Sequence, residues 1–246
     1  MQRLLAILLL CFPALIFGFV NKTEILDVMN IARTKPTVFA ATIEAKYMNF
    51  VRFKWIVGDN MWLTNDGINA VREAVAVLKA ASPIDPLKSS KGLDVMAQVQ
   101  ANYLKSKTDI SNPYSGCSSN NVGTRVSEIG KWKSIGESVL GRLTTAEQIV
   151  VQLVVSDGDA DRMHRENLLN PSFTSVGFGF SNTDSVKNVV VIDYAEDFKC
   201  SGTCPTIPTL NKVYNCKGAG YEYAGAAIYQ VPIFVLAFIA LVFLTL

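Results

Sequence analysis

Ser175-Val176-Gly177-Phe178-Gly179-Phe180-Ser181 sets Val and Phe at every second position between Ser and Gly, the alternation of a strand with one buried face. A few residues on, the run from Asn188 to Asp193 is β-branched throughout its middle and suits a strand covered on both sides. Upstream the apolar period lengthens to that of a helix. Ile25, Val28, Met29 and Ala32 form one such stripe, and Phe39, Ile43, Tyr47 and Phe50 a second. Ile68, Val71, Val75 and Leu78 form a third. Leu93, Met96, Ala97, Ala101 and Leu104 make a fourth, and Ile149, Val150, Leu153 and Val154 a fifth. Thr23 opens the first helix, Pro36 fits the first turn of the second, and Thr64 or Asn65 caps the third. Thr144 with Glu147 reads as a capping box for the fifth. Residues 106–135, rich in Ser, Asn and Gly, read as a long ordered loop. Helices flanking a small sheet with both faces buried imply a layered α/β sandwich.

The chain has 246 residues, half of them hydrophobic, and 23 basic against 21 acidic residues give a net charge of +2. That length allows one domain or two small ones. A charge so close to neutral excludes a dedicated nucleic-acid binder, which needs a clustered cationic excess. Mean hydropathy of +0.26 reflects apolar residues gathered at the two ends.

Met1-Gln2-Arg3 followed by the uncharged run Leu4 to Val20 reads as a signal peptide, residues 1–18, with cleavage after Gly18. An uncleaved signal anchor is the alternative; Pro13 and Gly18 interrupt the run short of a membrane span. No charge follows Glu222, and Val231 to Leu246 is almost purely apolar with no basic residue behind it. Gly218-Ala219-Gly220 supplies small residues and Tyr221 to Gln230 a spacer. Residues 218–246 therefore read as a glycosylphosphatidylinositol signal with Gly218 as attachment point. A tail-spanning helix is the alternative. Either way the expected location is the extracellular face of the plasma membrane, with residues 19–198 as the domain and 199–217 as a stalk.

After removal of the leader, and Cys11 with it, Cys117, Cys200, Cys204 and Cys216 remain. An even count in an oxidising compartment predicts two disulfides, in one of three pairings. A zinc knuckle at Cys200-x3-Cys204 competes, but no His lies nearby. Asn21-Lys22-Thr23 is a glycosylation sequon, which makes Asn21 a modification candidate. The one histidine, His164, would have to serve as base in any hydrolytic triad, and no Gly-x-Ser-x-Gly elbow supplies its nucleophile. Cys117 is better explained as an oxidised cysteine than as a thiolate. No phosphate-cradling glycine loop or dinucleotide fingerprint is present.

Met163-His164-Arg165-Glu166-Asn167-Leu168-Leu169-Asn170-Pro171-Ser172-Phe173, running into Val176-Gly177-Phe178-Gly179, resembles the signature of the CAP superfamily (cysteine-rich secretory, antigen 5 and pathogenesis-related-1 proteins; the SCP domain). Ser156-Asp157-Gly158 and Ile135-Gly136-Glu137-Ser138 match its Asp-Gly and Gly-Glu-Asn motifs. The opening Asn30-Ile31-Ala32-Arg33-Thr34-Lys35-Pro36, the Ala97-Gln98 helix and the closing Asp193-Tyr194-Ala195-Glu196-Asp197-Phe198 also fit, in order along about 170 residues. The resemblance implies a three-layer α-β-α sandwich with a small, largely antiparallel central sheet. It also implies a surface cleft of two His and two acids, in which His164, Glu137 and Asp157 take three of the four places. The slot of the first His falls near Tyr114; Met163 stands where the family has Gly, and Ser138 where it has Asn.

One imidazole with two carboxylates offers at most a weak divalent-cation site, and those carboxylates are expected to raise the His164 pKa. The expected role is a hydrogen-bonded clamp between loops, ahead of a metal or ligand site and of a catalytic centre. The resulting expectation is a surface-anchored, non-enzymatic binding module for an extracellular protein, sterol or lipid, without a resident cofactor. The alternative is a secreted, protease-like hydrolase using His164, Glu137 and Asp157. A lipid role would place a tunnel against the Leu93–Leu104 helix. Trp55, Trp62 and Trp132 read as core or loop anchors, and Phe39 to Phe50 as core.

Overall fold

The computed structural model describes residues 20–57, 60–105, 121–183, 186–206 and 229–232. Tyr114, Cys117, Cys216, Gly218, the leader and most of the apolar tail lie outside the described residues. Helix α1 (Lys22–Thr34) starts at Asn21, whose side chain accepts the Thr23 N–H as a helix cap. Helix α2 (Pro36–Lys46) follows with Pro at its start and ends at Tyr47. Phe50, expected on this helix, instead opens a small antiparallel sheet, β1 (Phe50–Val51), β2 (Lys54–Val57) and β3 (Asn60–Leu63), with β10 (Tyr229–Pro232) beyond β3. Its inner face buries Trp55 and Trp62 edge to face, with Phe50 stacked on Trp55.

Helix α3 (Ile68–Ala80) begins at Gly67 with φ +63° and no side-chain cap, so neither Thr64 nor Asn65 fills that role. Strand β4 (Lys88–Ser89) and helix α4 (Lys91–Lys105) come next. Within the stretch read as loop, residues 121–135 form helix α5 (Val122–Ser127), strand β5 (Gly130–Lys131) and the start of β6 (Ser134–Leu140). Helix α6 (Ala146–Val155) is capped by Thr145, one residue later than expected; Thr145 accepts from the Gln148 N–H while Gln148 accepts from the Thr144 N–H. Helix α7 (Met163–Leu169), β7 (Ser175–Ser181) and β8 (Val189–Glu196) complete the core. Strand β9 (Lys199–Cys200) then pairs with β5, and Cys200 is disulfide-bonded to Cys204. The first residues of the expected stalk are thereby stitched to the domain, and the zinc-knuckle alternative is closed.

The central sheet has the order β4-β7-β8-β6, antiparallel except for the short β4–β7 pair. Phe178, Val190, Ile192 and Tyr194 face a core shared with α1, α2, α3 and α6. Val189, Val191 and Ala195 face α4 and α5. The result is the three-layer α-β-α sandwich. Both faces of β7 are covered, contrary to the single buried face expected. A Cβ on Gly177 would lie 2.1 Å from the Leu93 carbonyl carbon, and one on Gly179 2.2 Å from the Ala97 oxygen. The glycines let the α4 backbone rest directly on the strand. Leu93, Met96, Ala97, Ala101 and Leu104 are completely buried. Among the described residues no helix is long and apolar enough to cross a membrane.

Candidate functional site

Glu137 and Asp193 sit opposite each other in the β6–β8 register. The same row continues to Gly177, which faces α4, so both acids enter the layer between the sheet and α4–α5. Arg125 on α5 reaches in from above. Its Nη2 donates to Glu137 Oε2 and, at 3.4 Å, to Asp193 Oδ1, while Nη1 donates to Gln100 Oε1 at 3.3 Å. All three charged side chains are enclosed, at 2%, 4% and 0% exposure for Arg125, Glu137 and Asp193. Burial pulls the Arg125 pKa down, and the two acids more than offset it, so the guanidinium stays charged. Burial drives the Asp193 carboxyl well above the usual carboxylate range; Arg125 opposes this and Glu137 adds to it. One guanidinium thus faces two carboxyl groups, and the balance at Asp193 leans toward its protonated form. Two polar atoms of the cluster, Arg125 Nε and Asp193 Oδ2, are buried without a hydrogen-bond partner.

Gly136 presents the opposite face of β6 to α7, where a Cβ would meet the Asn167 side chain. Asn167 Nδ2 donates to the Glu137 carbonyl at 3.0 Å. His164 lies one turn earlier on this helix, half-buried. Burial lowers its pKa to about 4, and the nearby Asp159 carboxylate only partly counters this. The expectation of a raised pKa is therefore corrected: desolvation outweighs the acid, and the acid acting on His164 is Asp159. Asp159 also holds the start of α7, accepting the Met163 N–H at 2.5 Å and the Ser156 hydroxyl at 3.1 Å.

Asp157 belongs to a third neighbourhood. It accepts the Asn65 and Asp66 N–H groups at 2.8 and 2.9 Å, and Asp66 returns the bond by accepting the Gly158 N–H at 2.9 Å. Burial raises the Asp157 pKa, against these two backbone hydrogen bonds. Arg162, left-handed at φ 52°, ties the junction to Asp66 at 2.6 Å and to Glu73 at 3.0 Å. Arg165 bonds the Val154 and Val155 carbonyls at the end of α6 and pairs with Glu73 at 2.6 Å. A cation at a helix C-terminus both satisfies bare carbonyls and complements the dipole.

The structure thus gives Glu137 and Asp157 separate partners. Among the described residues no group of three or more His, Cys, Asp or Glu is placed to hold a metal ion. What it brings together instead is Glu137, Arg125 and Asp193. A signal for Asp193 was present in the sequence, as the lone charge ending a β-branched run. Arg125, on a short helix in a polar stretch, gave none.

Solved structures similar to this chain share little sequence with it. An outer surface protein of Borrelia burgdorferi is 14% identical over 52% of this chain and 90% of its own, with a TM-score of 0.37. An extracellular protein of Bacillus anthracis containing an SCP domain is 14% identical over 54% of this chain and 42% of its own, TM-score 0.36. Venom allergen-like protein 4 of Schistosoma mansoni is 16% identical over 51% of this chain and 79% of its own, TM-score 0.33. Comparison with the curated proteins gives no match. Residues 65–194, more than half of the chain, match the model of the CAP, or cysteine-rich secretory protein, family, and the chain belongs to that family.

Proposed function

We propose that this protein is an extracellular CAP module held at the cell surface, which acts by binding and not by chemistry of its own. The observation that carries the reading is the enclosure of Glu137. Its carboxylate is 4% exposed and committed to Arg125, so it is not free to activate a water or to receive a substrate proton. His164 is kept neutral by burial. Asp157 is spent on two backbone amides. Glu137 and Asp157 thus each join one element to another, the work of a clamp.

Export through residues 1–18 and tethering through a lipid at Gly218 complete the proposal, with an extracellular protein, sterol or lipid as partner. Release of the protein from intact cells by a phosphatidylinositol-specific phospholipase is the expected result; retention with the tail attached removes the lipid anchor. The binding role is tested with the purified chain against a peptide library and by calorimetric titration with zinc. No cleavage, and no micromolar zinc binding that is lost in His164→Ala, is expected. Cleavage abolished by Glu137→Gln would establish the hydrolase reading instead.

A further inference from the structure

We infer that the ribbon of β5 and β9 carries a binding site for a sugar or cyclitol ring bearing sulfate or phosphate monoesters. Lys131 and Lys199 are direct cross-strand partners in this two-stranded ribbon, both exposed. Like charges placed opposite each other on a ribbon oppose its formation. Neither lysine forms an ion pair among the described residues, whereas their neighbour Lys133 is held by Asp197 at 2.6 Å. The ribbon is nevertheless fixed in place. The Phe198 ring lies where side chains on Gly92 and Gly130 would sit, Cys200 is bonded to Cys204, and the Ser201 N–H donates to the Ile129 carbonyl at 2.9 Å.

Beside the two lysines runs an open groove of ≈ 480 Å³, lined among others by Lys131, Trp132, Lys133, Asp197, Lys199 and Ser201. Three lining cations against Asp197, with Glu196 also 3.6 Å from Lys133, leave it net positive. Trp132 is oriented by its Nε1 bond to the Ser127 hydroxyl at 3.0 Å and by close packing over Gly123, and this partly buried residue lines the groove. Tetrahedral oxyanions are bound by paired ammonium donors in charge-assisted bonds, and a ring face packs on an indole. An oxyanion between Lys131 and Lys199 relieves their repulsion, Ser201 offers a hydroxyl donor, and Trp132 takes the ring. Nothing in this site depends on Glu137, Asp157 or His164.

The test uses the full-length chain in a non-ionic detergent, with calorimetry and Trp132 emission as readouts. Four probes are titrated: inorganic sulfate, inorganic phosphate, a sulfated heparin disaccharide and an inositol phosphate. The ring-bearing probes should bind more tightly than the bare ions, and added salt should weaken them. Preference for the disaccharide identifies a sulfated glycan as source, and preference for the inositol phosphate a lipid headgroup. Lys131→Gln/Lys199→Gln should weaken binding about tenfold or more. Asp197→Asn removes a lining carboxylate while keeping a residue that tolerates the left-handed backbone at φ 53°. It should bind severalfold more tightly, a gain that misfolding cannot produce. No binding of any probe by the native chain, or affinities unchanged in both variants, overturns the site.

Discussion

The Asp94 carboxylate of α4 accepts the Phe178 backbone N–H of β7 at 2.9 Å. One helical turn on, Gln98 does the work of a β-strand residue, accepting the Phe180 N–H at 2.9 Å and donating to the Phe180 carbonyl at 2.8 Å. Strand β4 covers only Ser175 and Val176 of this edge, so the helix side chains continue the ladder where the strand stops. The spacing permits it: four helical residues rise about 6 Å and two strand residues about 6.6 Å. Asp94→Ala should leave the Phe178 amide buried and unpaired, at a cost of about 1–3 kcal/mol in urea unfolding. Gly177→Ala drives a methyl into the α4 backbone and should cost about 4 kcal/mol. Equal, small effects from both substitutions would show that α4 does not seat on β7 as described.

This contact marks the limit of what the sequence disclosed. The stripes of α1, α3, α4 and α6 and the runs of β7 and β8 were legible because each buries a periodic apolar face. A hydrophobic pattern is blind to a face made of glycine, so β7 read as one-sided. The β1–β3 sheet was missed because Phe50 happened to fall in step with the α2 stripe. In the site, motif order located Glu137, Asp157 and His164 along the chain but not in space. Neighbouring residues on a strand face opposite ways, which is why Gly136 touches α7 while Glu137 turns to Arg125.

Cys200–Cys204 closes a loop of only a few residues, so chain entropy assigns it about 2 kcal/mol. Its effect should be local. Cys200→Ser/Cys204→Ser is expected to raise amide exchange in β9 and in its partner β5 while leaving β7 and β8 protected. A Cys200–Cys117 or Cys204–Cys216 peptide from the native chain would contradict the bond described.

The two acids facing Arg125 should respond oppositely to amide substitution. Glu137→Gln removes the carboxylate that balances a fully buried guanidinium and should destabilise the fold by about 3–5 kcal/mol. Burial favours the protonated form of Asp193, so Asp193→Asn, which mimics that form, should cost about 1 kcal/mol or less. The pH dependence carries the same signature. A carboxyl whose folded pKa lies above its unfolded one contributes stability at low pH that declines as pH rises from about 4 toward the folded value. Asp193→Asn should remove that decline from the unfolding free energy measured across this range. A penalty for Asp193→Asn as large as that for Glu137→Gln would show that both acids are ionised.

His164 gives the opposite slope. Its folded pKa, lowered by burial to about 4, lies below the value of about 6.5 that it takes in the unfolded chain. Between those limits the unfolded chain binds the extra proton, so stability is full above pH about 6.5 and is lost as pH falls toward 4. The loss should be about 3 kcal/mol by pH 4. His164→Gln, which keeps a hydrogen-bonding side chain and cannot titrate, should flatten the profile in this window while leaving the neutral-pH stability within about 1 kcal/mol of the native value. Direct titration of the imidazole by nuclear magnetic resonance gives the same answer independently. A midpoint above 6.5 would mean that the ring is charged and paired with an acid in the folded protein, and would overturn the lowering by burial.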